Sequence, residues 1–227
     1  MIVRNHMAIL RNLRNITEAG VSKKHITKLR ECFNHPSWGT SKVLPYRFIA
    51  ASKYAPDLES VLETAMFKSL ANIPKFKGST VLLVDVSGSM DDRLSQKSDL
   101  QRIDAACGLA MLARELCEDV SIYTFSTNCV KVPARRGFAL AEAIQRSQSH
   151  ACTYLQSALD KIKDNYDRII VITDEQSHDD VGNPKGRGYV INVASYQRGV
   201  GYGKWNHIDG WSESVLDYIM ELENEGF

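Results

Sequence analysis

Apolar residues in the first third of the chain recur every three or four positions, the spacing of one face of an α-helix. Ile9, Leu10, Leu13 and Ile16 make one such face, Gly20 interrupts it, and Ser22 stands where a second helix carrying Ile26 and Leu29 would be capped. A loop through Asn34, His35, Pro36 and Gly39 follows. Pro45 fits only the first turn of a helix, because its ring and missing N–H break a helix interior, so a third helix through Phe48, Ile49 and Ala51 starts there. Pro56 and Asp57 open a fourth, whose Leu58, Val61, Leu62, Ala65, Met66 and Leu70 form a broad apolar stripe, and Pro74 ends it. Paired helices of this kind look like α-solenoid repeats, but two pairs fall short of the three or so that normally stand alone.

The period changes near residue 80. Val81, Leu82, Leu83 and Val84 form a continuous apolar run, the pattern of a strand buried on both faces of a parallel sheet. A helix from Ser98 or Asp99 carries Ile103, Ala106, Leu109, Ala110 and Leu112. A strand at 120–125, a short edge strand at 130–132 across a turn at Asn128, helices at 137–147 and 153–164, and strands at 168–173 and 189–195 follow. A terminal helix starts at Trp211 or Ser212 and runs through Val215, Leu216, Ile219 and Leu222. Strands alternating with helices predict a doubly wound, mostly parallel α/β sheet over residues 79–227, preceded by a helical segment over 1–78.

Length and composition leave this picture intact. With 227 residues, 44% hydrophobic and 24% charged, the chain can bury a core and is neither disordered nor low-complexity. No apolar run approaches the roughly 18 to 20 residues of a membrane span, and the first 30 residues are too basic for a secretory core, so a soluble cytoplasmic protein without membrane contact is expected. Five cysteines, with no Cys-x-x-Cys pair, argue against a disulfide framework and against zinc; Cys107 and Cys117 read as apolar residues of a helical stretch.

The net charge of +1 conceals a division. Residues 1–79 hold 13 Lys and Arg against 5 Asp and Glu, while residues 80–227 hold 15 against 22. A basic segment beside an acidic domain fits either a polyanion such as RNA or attraction between the halves. The RNA candidates are Lys23, Lys24, Lys28, Arg30 and Arg47, with Arg4, Arg11, Arg14, Lys42 and Lys53 behind them; Arg47 differs in lying between Tyr46 and Phe48, where it would be partly packed.

In open α/β sheets ligands bind beyond the carboxyl ends of the strands. There the chain has Asp85-Val86-Ser87-Gly88-Ser89, Thr153 at a helix start, and Thr173-Asp174-Glu175. Two buried carboxylates repel unless a cation offsets them, and an all-oxygen donor set selects a hard one: Mg²⁺ takes six oxygens at ~2.0 to 2.1 Å and keeps several waters. Asp-x-Ser-x-Ser, a distant Thr and a later Asp together resemble the metal-ion-dependent adhesion site of von Willebrand factor type A domains. That resemblance implies Mg²⁺ or Mn²⁺ held directly by Ser87, Ser89 and Thr153 and through water by Asp85 and Asp174, with an open position for an acidic group of a protein partner. Before the Thr this chain has Ala151-Cys152 where the family often has Gly-Gly.

A second resemblance is to the Ro 60 kDa RNA-binding (TROVE) proteins. It rests on Leu44-Pro45-Tyr46-Arg47-Phe48-Ile49-Ala50-Ala51 ahead of an A-type domain, on Asn192-Val193-Ala194-Ser195-Tyr196, and on residues 205–211. In that family a ring of helical repeats binds ends of misfolded small RNAs and, on its outer face, Y RNAs; this chain resembles only the last repeats plus the A-type domain. The expectation is therefore a non-enzymatic Ro-like ribonucleoprotein module, the alternative a protein-interaction or assembly subunit that never touches RNA. A Mg²⁺-dependent haloacid-dehalogenase-type phosphatase, with Asp174, Asp179 and Asp180 as its late acidic motif, would need a second Asp where Ser87 stands. A serine hydrolase would need a Gly two residues before Ser87, and the Gly-rich run 199–204 lacks the ending of a phosphate loop.

Overall fold

The structure is a computed structural model describing residues 6–43, 45–96, 99–194, 203–210, 212 and 214–224. It divides into two compact units, Met1–Pro74 and Lys75–Phe227. Arg4, Leu44, Ser98, Trp211 and the Ser195–Tyr196 and 199–202 segments invoked above lie outside the described residues.

The first unit contains α1 (His6–Glu18), α2 (Lys23–Asn34), α3 (Pro45–Tyr54) and α4 (Glu59–Leu70). The stretch expected to be a plain loop after Asn34 is a 3-10 turn, Pro36–Thr40, that places Trp38 in the centre of this unit's core. Trp38 packs against Phe33 and Phe48, each with ring centroids 5.5 Å away, and its indole N–H donates to the Cys32 carbonyl at 2.9 Å. Satisfying that one polar atom is what lets so large a ring be buried. Ser22 occupies the N-cap position of α2, but its hydroxyl pairs with the His25 ring instead of the helix amides. Pro45 is the first residue of α3, as its geometry requires.

The second unit is a six-stranded sheet in the order β3-β2-β1-β4-β5-β6. Its strands are β1 (Phe76–Asp85), β2 (Cys117–Phe125), β3 (Cys129–Lys131), β4 (Arg168–Thr173), β5 (Arg187–Asn192) and β6 (Trp205–Asp209). Only the β2–β3 pair is antiparallel. The helices α5 (Arg102–Leu116), α6 (Gly137–Gln145), α7 (Leu155–Lys161) and α8 (Ser214–Asn224) complete the unit. β1 and β4, in the middle, are buried over residues 80–85 and 168–173, which is why their sequences read as unbroken apolar runs.

Several boundaries differ from the sequence reading. β1 starts at Phe76, ahead of the expected 78/79 division, because Gly78 adopts φ +78° in a bulge where the register shifts, and Ser79 is then pinned by the Asp167 carboxylate. α5 begins at Arg102 because Gln101 and Asp104 form a reciprocal capping box, and Leu94 N–H bonds Leu100 O to close the preceding loop. Cys117 is the first residue of β2, not part of a helix, though it is buried as expected. β6 went unforeseen, since its half-exposed sequence has no apolar run. At the lower edge of the sheet, Arg168 bonds Thr80, the Lys77 carbonyl and Glu223, which fastens α8 to the strands. No helix of the described residues is long and apolar enough to cross a membrane.

Candidate functional site

The carboxyl ends of β1 and β4 lie side by side, with Val84 paired to Ile172, so the residues that follow each strand emerge together. Asp85 is fully buried. Its Oδ1 accepts the Ser87 N–H at 2.8 Å and its Oδ2 accepts the Thr173 hydroxyl at 2.6 Å. The first bond bends the chain back on itself, bringing the Ser87 and Ser89 hydroxyls within 3.3 Å of each other. Burial pushes the Asp85 carboxyl up to about 6, with the nearby Asp174 charge adding to the rise and the bonds from Thr173 and Ser87 opposing it.

Thr153 reaches this corner on a strapped loop. Gly88 N–H donates to Ala151 O at 3.0 Å, and Ser126 both donates to Cys152 O and accepts from Ala151 N–H. On the other side the segment after β4 folds over the loop: His178 N–H donates to Thr153 O, Ser177 accepts from Leu155 N–H, and Asp179 accepts from the Gln156 and Ser157 amides. Asp179 thus caps α7 from a distant part of the chain. Thr153 is buried, two residues before that helix.

Asp174 is also fully buried. Its Oδ2 accepts from Arg102 Nη1 at 3.1 Å, and its Oδ1 has no hydrogen-bond partner among the described residues. The next residue, Glu175, holds a left-handed backbone at φ +61°, where a non-glycine side chain is strained. Its Oε1 pairs with His207 Nδ1 at 3.1 Å, while Oε2 is buried without a partner among the described residues.

The structure therefore brings Asp85, Ser87, Ser89, the Thr153 loop and Asp174 to one corner. Among the described residues no group of three or more His, Cys, Asp and Glu side chains forms a metal cluster. The donor set here is of another kind: converging serine hydroxyls, one buried carboxylate whose oxygens each accept one hydrogen bond and keep further acceptor capacity, and one with an oxygen left without a partner among the described residues. Oxygen donors with an orphaned buried carboxylate oxygen fit a hard divalent cation. Arg102 and His207 were not singled out from sequence, and Thr173 and Glu175 were read at the strand end beside Asp174 without a role being assigned to either.

The basic candidates separate by environment. Lys23, Lys24 and Lys28 are exposed on α2. Arg30 is engaged internally, donating to Asp57 O at 2.6 Å. Arg47 is half-buried, its guanidinium 4.5 Å from the Tyr46 ring centroid, with a buried Nε that lacks a partner among the described residues.

Comparison with known proteins bears on the sheet corner first. Residues 80–176 match the family model of the von Willebrand factor type A domain. The A-type domain of this chain thus has the fold its strand order implies, with the Asp85 turn, Thr153 and Asp174 all inside the matched region. The Ro (RSR) protein of Deinococcus radiodurans superposes with TM-score 0.71 at 17% identity, covering 96% of this chain and 53% of that one. The chain spans about half the length of that protein, and the likeness is one of fold. Two further structures align less well. An aerotolerance-related membrane protein of Bacteroides fragilis gives TM-score 0.40 at 17% identity, over 51% of this chain and 67% of that one. Protein BatB of Bacteroides thetaiotaomicron gives 0.43 at 15%, over 66% and 98%. No curated protein matches the chain in sequence.

Proposed function

We propose that the chain is a non-enzymatic Ro-like (TROVE-type) ribonucleoprotein module, in which the A-type domain carries a divalent-cation ligand site and the basic helical unit contacts RNA. Ser87, Ser89 and Thr153 would hold Mg²⁺ or Mn²⁺ directly, with Asp85 and Asp174 acting through water. The ion, when bound, supplies a hard acceptor position for an anionic oxygen of a ligand, such as a partner's carboxylate. The observation that carries this reading is the buried Asp174 Oδ1, without a hydrogen-bond partner among the described residues, at the end of the strand paired with the one that leads into the converging Ser87 and Ser89 hydroxyls.

A non-catalytic role is favoured by the state of Asp85. Both of its oxygens already accept hydrogen bonds, from Ser87 N–H and Thr173 Oγ1, which blunts it as a nucleophile. Ser87 stands where a phosphatase would place its acid–base Asp. An assay of phosphate-ester hydrolysis with Mg²⁺ is expected to show no turnover; turnover abolished by Asp85→Asn would establish an enzyme instead.

RNA contact is supported by the exposed Lys23, Lys24 and Lys28 and by the charge division. Fluorescence anisotropy with a labelled single-stranded RNA tests it. Binding is expected at low salt and unchanged by EDTA, because the lysines belong to a different unit from the cation site. Binding that vanishes in EDTA would move RNA recognition to the A-type domain.

A further inference from the structure

The cation site already contains a fixed positive charge. Arg102, the first residue of α5, is 8% exposed, and a guanidinium stays protonated in any protein environment. Its Nη1 donates to Asp174 Oδ2 at 3.1 Å and to the Ser89 carbonyl at 3.0 Å, with Asp92 Oδ2 a further 3.5 Å contact. One nitrogen thereby ties the Ser87–Ser89 turn to the end of β4. It also divides Asp174 in two: one oxygen is held, and the other is left free.

We infer that Arg102 is the resident counter-cation of this site, holding Asp174 in place when no divalent ion is bound and setting the weakness with which one binds. The inference rests on the metal reading above. Without Arg102, Asp174 would be a buried carboxylate with no cation among the described residues to balance it, and the corner would depend on a divalent ion for its stability. With Arg102, the entering ion meets a positive charge already bonded to one of its own supporting carboxylates. A like charge fixed in the site opposes the entering ion, and even with strong screening that repulsion weakens binding by at least about tenfold. A site built this way favours exchange of the ion with the surroundings over permanent retention.

Calorimetric titration of Mn²⁺ into the full chain, paired with thermal melts in EDTA and in millimolar Mn²⁺, tests the inference. Arg102→Gln should bind Mn²⁺ at least about tenfold tighter than wild type, and its melting temperature should fall on the order of 10 °C in EDTA but recover with Mn²⁺. Arg102→Gln/Asp174→Asn leaves neither charge unpaired, so it reports even where the single variant does not fold, and it should bind about tenfold tighter than Asp174→Asn. Unchanged affinity in both comparisons, with equal destabilisation in EDTA and Mn²⁺, would overturn the inference while leaving the metal site standing. No binding in any variant would overturn both.

Discussion

Thr173 Oγ1 donates to Asp85 Oδ2 at 2.6 Å and accepts from Glu175 N–H at 3.1 Å, joining the ends of the two central strands through one hydroxyl. Valine has the same shape without the hydroxyl, so Thr173→Val removes both bonds and leaves a buried carboxylate oxygen unsatisfied. The expected loss is about 1 to 3 kcal/mol in denaturant unfolding. The Asp85 carboxyl should also move further up, seen as a higher pH for the loss of cation affinity. Thr173→Ser should stay close to wild type in both measurements.

The folded protein takes up the Asp85 proton at about pH 6, whereas the unfolded chain waits until near 3.8. From this group alone, the folded state gains stability as pH falls through 6, and the gain stops below 3.8; at pH 7.5 the buried charge is a deficit of roughly 3 kcal/mol. Asp85→Asn should therefore raise or preserve the melting temperature in EDTA at pH 7.5, with an advantage over wild type that shrinks by pH 5. Cation affinity in the wild type should fall as pH drops below about 6, because protonation removes the charge that supports the ion. A melting curve for Asp85→Asn well below wild type at pH 7.5 in EDTA would contradict this ordering.

Asp179 fixes the helix that follows Thr153. Burial pushes its carboxyl up, but the Ser177 hydroxyl and the Ser157 and Gln156 amides outweigh that and hold it below the ordinary range. Its contribution is thus present above the ordinary carboxylate value and lost as pH falls through the lowered one. Asp179→Ala should remove about 1 kcal/mol of stability at neutral pH, as loss of a helix cap does. Since the same segment holds the Thr153 backbone, cation affinity should weaken as well, whereas an exposed Ala substitution at Asp180 should change neither.

RNA binding, if it lies on α2, is electrostatic. Phe33 and Trp38 are fully buried, so they are withdrawn from the base stacking that an exposed aromatic face would offer. Each neutralised phosphate of a single strand contributes about −0.7 to the slope of log affinity against log salt, so three to five contacts would lose most binding by physiological salt. Replacing Lys23, Lys24 and Lys28 together by Glu should abolish it, and Asp174→Ala should leave it unchanged.

Much of this was legible in the sequence where burial is two-sided or spacing is local. The apolar run 81–84 announces a central strand, Pro45 marks a helix start, and the Asp85-x-Ser87-x-Ser89 spacing after that strand marks the candidate site. What stayed hidden depends on residues distant in the chain. Arg102 meets Asp174 across 72 positions, and Asp179 caps α7 from beyond the next strand, so neither leaves a local pattern. Trp38 sat in a segment with loop composition, and nothing local says that a 3-10 turn would drive its ring into the core. β6 has too little apolar character to be distinguished from a loop.

Asp85, Ser87, Ser89, Thr153 and Asp174 are proposed to form one site for a divalent cation. Calorimetric titration of Mg²⁺ or Mn²⁺ into chelator-treated protein, side by side with Asp85→Ala of verified fold, tests it most directly. One weak, reversible divalent ion per chain is expected in the wild type and none in the variant. Equal affinity in the two proteins, or heat from neither, would contradict it.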